Sequence, residues 1–124
     1  MEKIRVLVVD DEAFNFDMLK IGVGDSLDLL YAPSGQEALR MSIQQSPNIV
    51  LLDICMPGLD GYDTCRLLKN TPETANIPII LLSGLESEDE VKEGFNAGCD
   101  AYITKPFNIS ELVNQIRSLS TIKG

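Results

Sequence analysis

A chain of 124 residues suits one domain and can bury roughly two-thirds of the surface its unfolded form exposes. With 44% apolar and 23% charged residues it reads as a globular chain, and it carries no apolar run long enough for a membrane span or a secretory leader, so a cytoplasmic location is expected. A net charge of −9 opposes phosphate backbones and speaks against direct nucleic-acid binding; the absence of histidine removes histidine chemistry, and Cys55, Cys65 and Cys99, without a C-x-x-C pair, imply neither a disulfide framework nor a zinc site.

The first element is the β-branched-rich run Ile4–Val9, which stops at Asp10-Asp11. Phe14, Met18 and Ile21 then keep helical spacing and predict a first amphipathic helix, followed by a weaker strand over Asp28–Ala32. Ser34 with Glu37 forms a capping box that opens the next helix. The apolar run Asn48–Leu52 stops at Asp53. Tyr62, Cys65 and Leu68 predict a helix ended by Thr71-Pro72, and Ile77–Leu82 is a strand that stops at Ser83-Gly84.

Ser87 with Glu90 caps the weakest helix, whose large apolar anchors are Val91 and Phe95. Its interior Gly94 costs about 1 kcal/mol relative to alanine, which makes the helix a candidate moving part. The last strand, Ala101–Thr104, stops at Lys105-Pro106, whose peptide isomer the sequence leaves open. Asn108 as N-cap and Glu111 open a final helix with Ile109, Leu112, Val113, Ile116 and Leu119 on one face.

Five strands alternating with five helices imply an α/β fold: a doubly wound, five-stranded parallel sheet of order 2-1-3-4-5, covered by helices on both faces, flavodoxin-like. Ligands of such sheets bind outside the C-terminal strand ends at the topological switch point. Asp10, Asp11, Asp53, Ser83 and Lys105 each follow a predicted strand, so all five crowd one edge. Any one acid there is more simply a helix cap. Three acids together repel unless a hard divalent cation intervenes, and Mg²⁺ with oxygen ligands is the fitting ion, with Mn²⁺ as a substitute. Lys105 supplies a point charge for a phosphate, Ser83 a hydroxyl, and Gly84 an accessible amide. A carboxylate nucleophile, a cation and these donors are the parts of phosphoryl transfer onto an aspartate. No P-loop is present, so the phosphoryl group must come from a partner or a small phosphodonor.

In order and at matching spacing, VVDDE (Val8–Glu12), LLDICMPGLDG (Leu51–Gly61), LLSG (Leu81–Gly84) and YITKPF (Tyr102–Phe107) resemble the receiver domain of bacterial two-component response regulators. The resemblance covers residues 1–124 as one receiver domain. It implies Asp53 as phosphoacceptor, Asp11 as direct metal ligand, Asp10 as companion acid, and the Cys55 backbone carbonyl as a third protein ligand. It further implies Ser83 as switch hydroxyl, Lys105 as the phosphate-binding lysine and Tyr102 as an aromatic that moves between exposed and buried positions, with Met56, Pro57 and Gly61 shaping the loop after Asp53. The donor would be a sensor histidine kinase or histidine phosphotransfer protein. The response would be a shift of the face built from the fourth helix, fifth strand and fifth helix, and the last-strand face is also where a homodimer would form. Apolar Cys55 and Leu85, flanking the approach of water, imply slow self-dephosphorylation.

Three other readings compete. A haloacid-dehalogenase-like phosphatase or phosphotransferase would carry an acid where Cys55 stands in Asp53-Ile54-Cys55. A flavodoxin-like cofactor binder would need a Ser/Thr/Gly-rich loop where this chain has DDE. A degenerate receiver used only for protein contacts would not keep Asp53, Ser83 and Lys105.

Overall fold

Short β-branched runs bounded by acids, serines and capped helices give a strict alternation in the computed structural model, which describes residues 3–54, 61–84 and 88–120. The elements are β1 (Arg5–Val9), α1 (Ala13–Val23), β2 (Asp28–Ala32), α2 (Gly35–Gln45), β3 (Ile49–Asp53), α3 (Gly61–Asn70), β4 (Ile79–Ser83), α4 (Glu88–Asn96), β5 (Ala101–Thr104) and α5 (Ile109–Leu119). The strands are parallel in the order β2-β1-β3-β4-β5, as the alternation predicts. Asp53 and Ser83 are the last residues of β3 and β4 and do not follow them; β4 opens at Ile79 because Pro78 has no N–H to donate, although its carbonyl still accepts from Val50.

Every residue of β3 and β4 is buried, which is why these segments read as unbroken apolar runs. Alternation along the strands sends Leu7, Val50, Leu52, Ile79 and Leu81 to a core covered by α2 and α3. Val6, Val8, Leu51, Ile80 and Leu82 go to a second core, closed by Leu19 and Val23 of α1 and by Leu112 and Ile116 of α5. Cys65 and Cys99 are buried thiols in the first core, where burial pushes them up to about 12 and about 11 and keeps them protonated.

Cap chemistry follows the sequence in part. Asn108 Oδ1 accepts the amides of Ser110 and Glu111 at 2.8 and 3.3 Å and starts α5. Ser34 Oγ accepts the Glu37 amide at 3.2 Å, but the capping box is only half closed: the Glu37 carboxylate turns outward to Arg40 Nε at 2.8 Å. Ser87 lies outside the described residues.

Two expectations about helix faces are corrected. Phe14, Met18 and Ile21 are not the buried face of α1; they are 68%, 52% and 76% exposed, and Phe16, Leu19 and Val23 turn inward instead. Phe95 does not anchor α4; it is half exposed, and the helix seats on Gly94 and the Ala97 that follows it. Under α4 the space is limited, since a Cβ on Gly94 would meet Tyr102 and Leu81 side chains.

Candidate functional site

The register of the sheet assembles the site. Val9 lies opposite Leu52, so the chain leaves β1 into Asp10 beside the Asp53 that ends β3. Asp53 is level with Leu82, which places Ser83 one residue further along β4, and Ser83 is level with Thr104, which brings Lys105 to the same edge. Carboxylate oxygens of Asp10, Asp11 and Asp53 all lie within 4.8 Å of one another. Lys105 Nζ stands 3.3 Å from Asp53 Oδ2.

The three acids differ in freedom. Asp10 is nearly buried; its Oδ1 accepts the Glu12 amide at 2.9 Å and its Oδ2 accepts Asn15 Nδ2 at 3.1 Å, while its carbonyl accepts the Tyr31 hydroxyl at 2.8 Å. It therefore fixes the turn into α1 as well as contributing charge. Burial holds its carboxyl above the usual carboxylate range, and the nearby Asp53 pushes in the same direction. Asp11 is exposed, and among the described residues no donor bonds its carboxylate. Asp53 is buried but accessible from the strand ends, with Lys105 across it. A cluster of this kind, two buried acids and one open acid converging on a point, fits a hard cation with oxygen ligands.

Ser83 is buried, and its carbonyl accepts the Lys105 amide at 2.7 Å. The Lys105–Pro106 peptide is cis. Among the described residues an added Cβ at Gly84 would meet nothing within 4 Å, so no described atom enforces the glycine. Tyr102 is half-buried, on the sheet face that also carries Leu81 and therefore Ser83 two residues on. Cys55, Met56, Pro57 and Leu85 lie outside the described residues.

Two positions were legible in the sequence only as pattern. Gly61 opens α3 against the backbone of Asp53 and Ile54: a Cβ there would fall 2.6 Å from the Asp53 carbonyl oxygen. Tyr62, which the sequence gives only as a position at helical spacing, carries a hydroxyl that donates to the Glu90 carbonyl at 3.0 Å.

Residues 6–117 match the family profile of the response regulator receiver domain, and the chain belongs to that family. Response regulator PleD of Caulobacter vibrioides is 36% identical over 120 residues, covering 96% of this chain and 26% of that protein. The DNA-binding transcriptional regulator RpaA of Synechocystis is 31% identical over 116 residues, covering 93% of this chain and 48% of that protein. The chain thus spans about a quarter to a half of the length of these curated relatives. Among solved structures, the receiver domain of Francisella response regulator 1452 superposes with a TM-score of 0.84 at 34% identity, covering 93% of this chain and 94% of that one. Among the described residues no helix is long and apolar enough to cross a membrane.

Proposed function

We propose that this receiver domain is a phosphorylation switch in which Asp53 takes a phosphoryl group from the phosphohistidine of a sensor histidine kinase or histidine phosphotransfer protein. The observation that carries the reading is the convergence of Asp10, Asp11 and Asp53 within 4.8 Å, with Lys105 3.3 Å from Asp53. Asp11 and Asp53, with Asp10 as companion and the Cys55 carbonyl, would hold Mg²⁺ or Mn²⁺. When bound, that ion neutralises the acids and draws charge from the phosphoryl oxygens.

The residues divide the work. An Asp53 carboxylate oxygen forms the new P–O bond while the partner's P–N bond breaks and its electron pair returns to the imidazole. Lys105 faces the oxygens that carry charge in transfer, and the Ser83 hydroxyl and Gly84 amide donate to them. In hydrolysis a water oxygen bonds phosphorus, the P–O bond electrons return to the Asp53 carboxylate, and inorganic phosphate leaves. The domain thus catalyses only its own phosphorylation and dephosphorylation. The added charge, roughly −1.5 to −2, draws Ser83 toward the phosphoryl group, lets Tyr102 occupy the space behind it, and biases the face of α4, β5 and α5.

Incubation with acetyl phosphate and Mg²⁺ should add one hydroxylamine-labile phosphoryl group, mapped by peptide mass spectrometry to Asp53. EDTA should abolish it. Labelling of a serine, or labelling indifferent to EDTA, would overturn the reading.

The exposed stripe of α1 bears on the donor. Phe14 sits three residues beyond Asp11, so a protein reaching Asp53 from the strand ends meets the start of this helix. Phe14, Met18 and Ile21 give it an apolar surface to bury. Ile21→Asp should slow transfer from a histidine-phosphorylated partner by tenfold or more, on the order of the 1.5–3 kcal/mol of one buried apolar side chain, and leave acetyl-phosphate labelling unchanged. Equal loss with both donors would count against a docking role.

A further inference from the structure

Gly94 is in the last turn of α4, where an added Cβ would come 2.8 Å from Cδ2 and 3.1 Å from Cε2 of Tyr102, and 3.0 Å from Leu81 Cδ1. Tyr102 lies opposite Leu81 in the sheet register and packs on the same core. The glycine that weakens α4 is therefore the space that the tyrosine ring fills. At its other end, the Tyr102 side chain is hydrogen-bonded to Tyr62 of α3. The Tyr62 hydroxyl donates to the carbonyl of Glu90, one turn before Gly94 in the same helix α4. Burial first, and then this pairing, hold the Tyr62 phenol far above the usual tyrosine range, so Tyr62 keeps the proton it gives to Glu90.

Tyr62 is also joined to the acceptor strand. Its neighbour Gly61 donates its amide to the Ile54 carbonyl at 3.0 Å, and the space around Gly61 is closed by the backbone of Asp53 and Ile54. The first turn of α3 thus rests on the acceptor strand end while its second residue holds Tyr102 and α4.

We propose that Gly94 and Tyr62 form the seat of the inward Tyr102, with Tyr62 a positioning residue that ties the occupied seat to α4. The proposal deepens the switch reading above and rests on it for the role of Tyr102. It differs from a route through Ser83 alone, because α3 carries it. Displacing the Tyr102 ring frees its contact with Gly94 of α4 and its bond to Tyr62, the residue that holds the Glu90 carbonyl, so the helix and the aromatic change state together.

The test uses the whole chain with ε-¹³C tyrosine, whose three tyrosine signals are assigned by single Tyr→Phe variants. Exposure of each ring is read as relaxation by a soluble gadolinium chelate, without phosphodonor and again with beryllofluoride and Mg²⁺. Gly94→Ala should raise Tyr102 relaxation roughly threefold, as a shift from a mostly inward to a mostly outward population requires, and Tyr62→Phe should raise it by a smaller factor. Tyr31, outside the seat, should not change in either variant. If Gly94→Ala does not fold, Tyr62→Phe decides, since it removes only a hydroxyl. Tyr102 exposure unchanged in Tyr62→Phe overturns the positioning role, and exposure unchanged in both variants overturns the seat. Failure of wild-type Asp53 to accept a phosphoryl group overturns the functional reading instead, and the two failures are distinguishable because the exposure measurement without phosphodonor does not depend on phosphorylation.

Discussion

Asp53→Asn should abolish acetyl-phosphate labelling while the circular dichroism spectrum and cooperative unfolding of the chain persist. The amide has the size of the carboxylate but is a poor nucleophile, and no other described carboxylate stands both beside Lys105 and at the end of the central strand. The same variant should blunt stabilisation by Mg²⁺. In the wild type, an ion that binds only the folded cluster stabilises it by about 2.7 kcal/mol at a hundred times its dissociation constant. Removing one of three converging charges should lower that affinity, and the thermal shift on adding Mg²⁺ should shrink accordingly. Without metal the variant should be no less stable than wild type. Asp10 and Asp53 are buried and their repulsion is weakly screened, whereas the Lys105–Asp53 pair is well exposed on the lysine side and contributes little. Wild-type labelling of Asp53→Asn would end the assignment of Asp53 as acceptor.

The second large effect falls on Gly61→Ala, expected to destabilise the fold by about 2 kcal/mol or more in urea unfolding. The new methyl would lie 2.4 Å from Ile54 Cα and 2.6 Å from the Asp53 carbonyl oxygen, backbone atoms at and just beyond the end of the central strand that cannot rotate aside. Relief requires moving the first turn of α3 or the end of β3, so labelling of Asp53 should fall along with stability. Gly94→Ala differs in kind: the atoms in its way belong to the Tyr102 and Leu81 side chains, which can move, so the outcome is a displaced ring more than an unfolded chain. Gly84→Ala is the control, with open space around it and stability within about 0.5 kcal/mol of wild type. Equal stability of Gly61→Ala and Gly84→Ala would show that the start of α3 is not wedged on the acceptor strand.

The sheet order and the strand-end cluster were legible in the residues. Parallel strands buried on both faces leave continuous apolar runs, and the polar residues that end those runs must emerge on one edge. The Asn108 cap of α5 was legible for an equally local reason, since its acceptor and the amides of Ser110 and Glu111 lie within three residues. Other readings failed where two solutions share one pattern. In α1, Phe14, Met18 and Ile21 repeat at helical spacing, but so do Phe16, Leu19 and Val23. Glu37 could complete the capping box or meet Arg40, and the exposed helix surface favours Arg40.

The amino-acid sequence by itself determined which residues alternate, where each strand stops, and that Asp10, Asp11, Asp53, Ser83 and Lys105 share an edge, because these depend on periodicity and on right-handed connection of neighbouring elements. Only the tertiary structure decided which stripe of α1 meets the sheet, why α4 keeps a glycine, and that Tyr62, Glu90, Gly94 and Tyr102 form one contact. Periodicity states which side chains share a face; what that face touches depends on distances between segments far apart in the chain, and those are set only when the core closes.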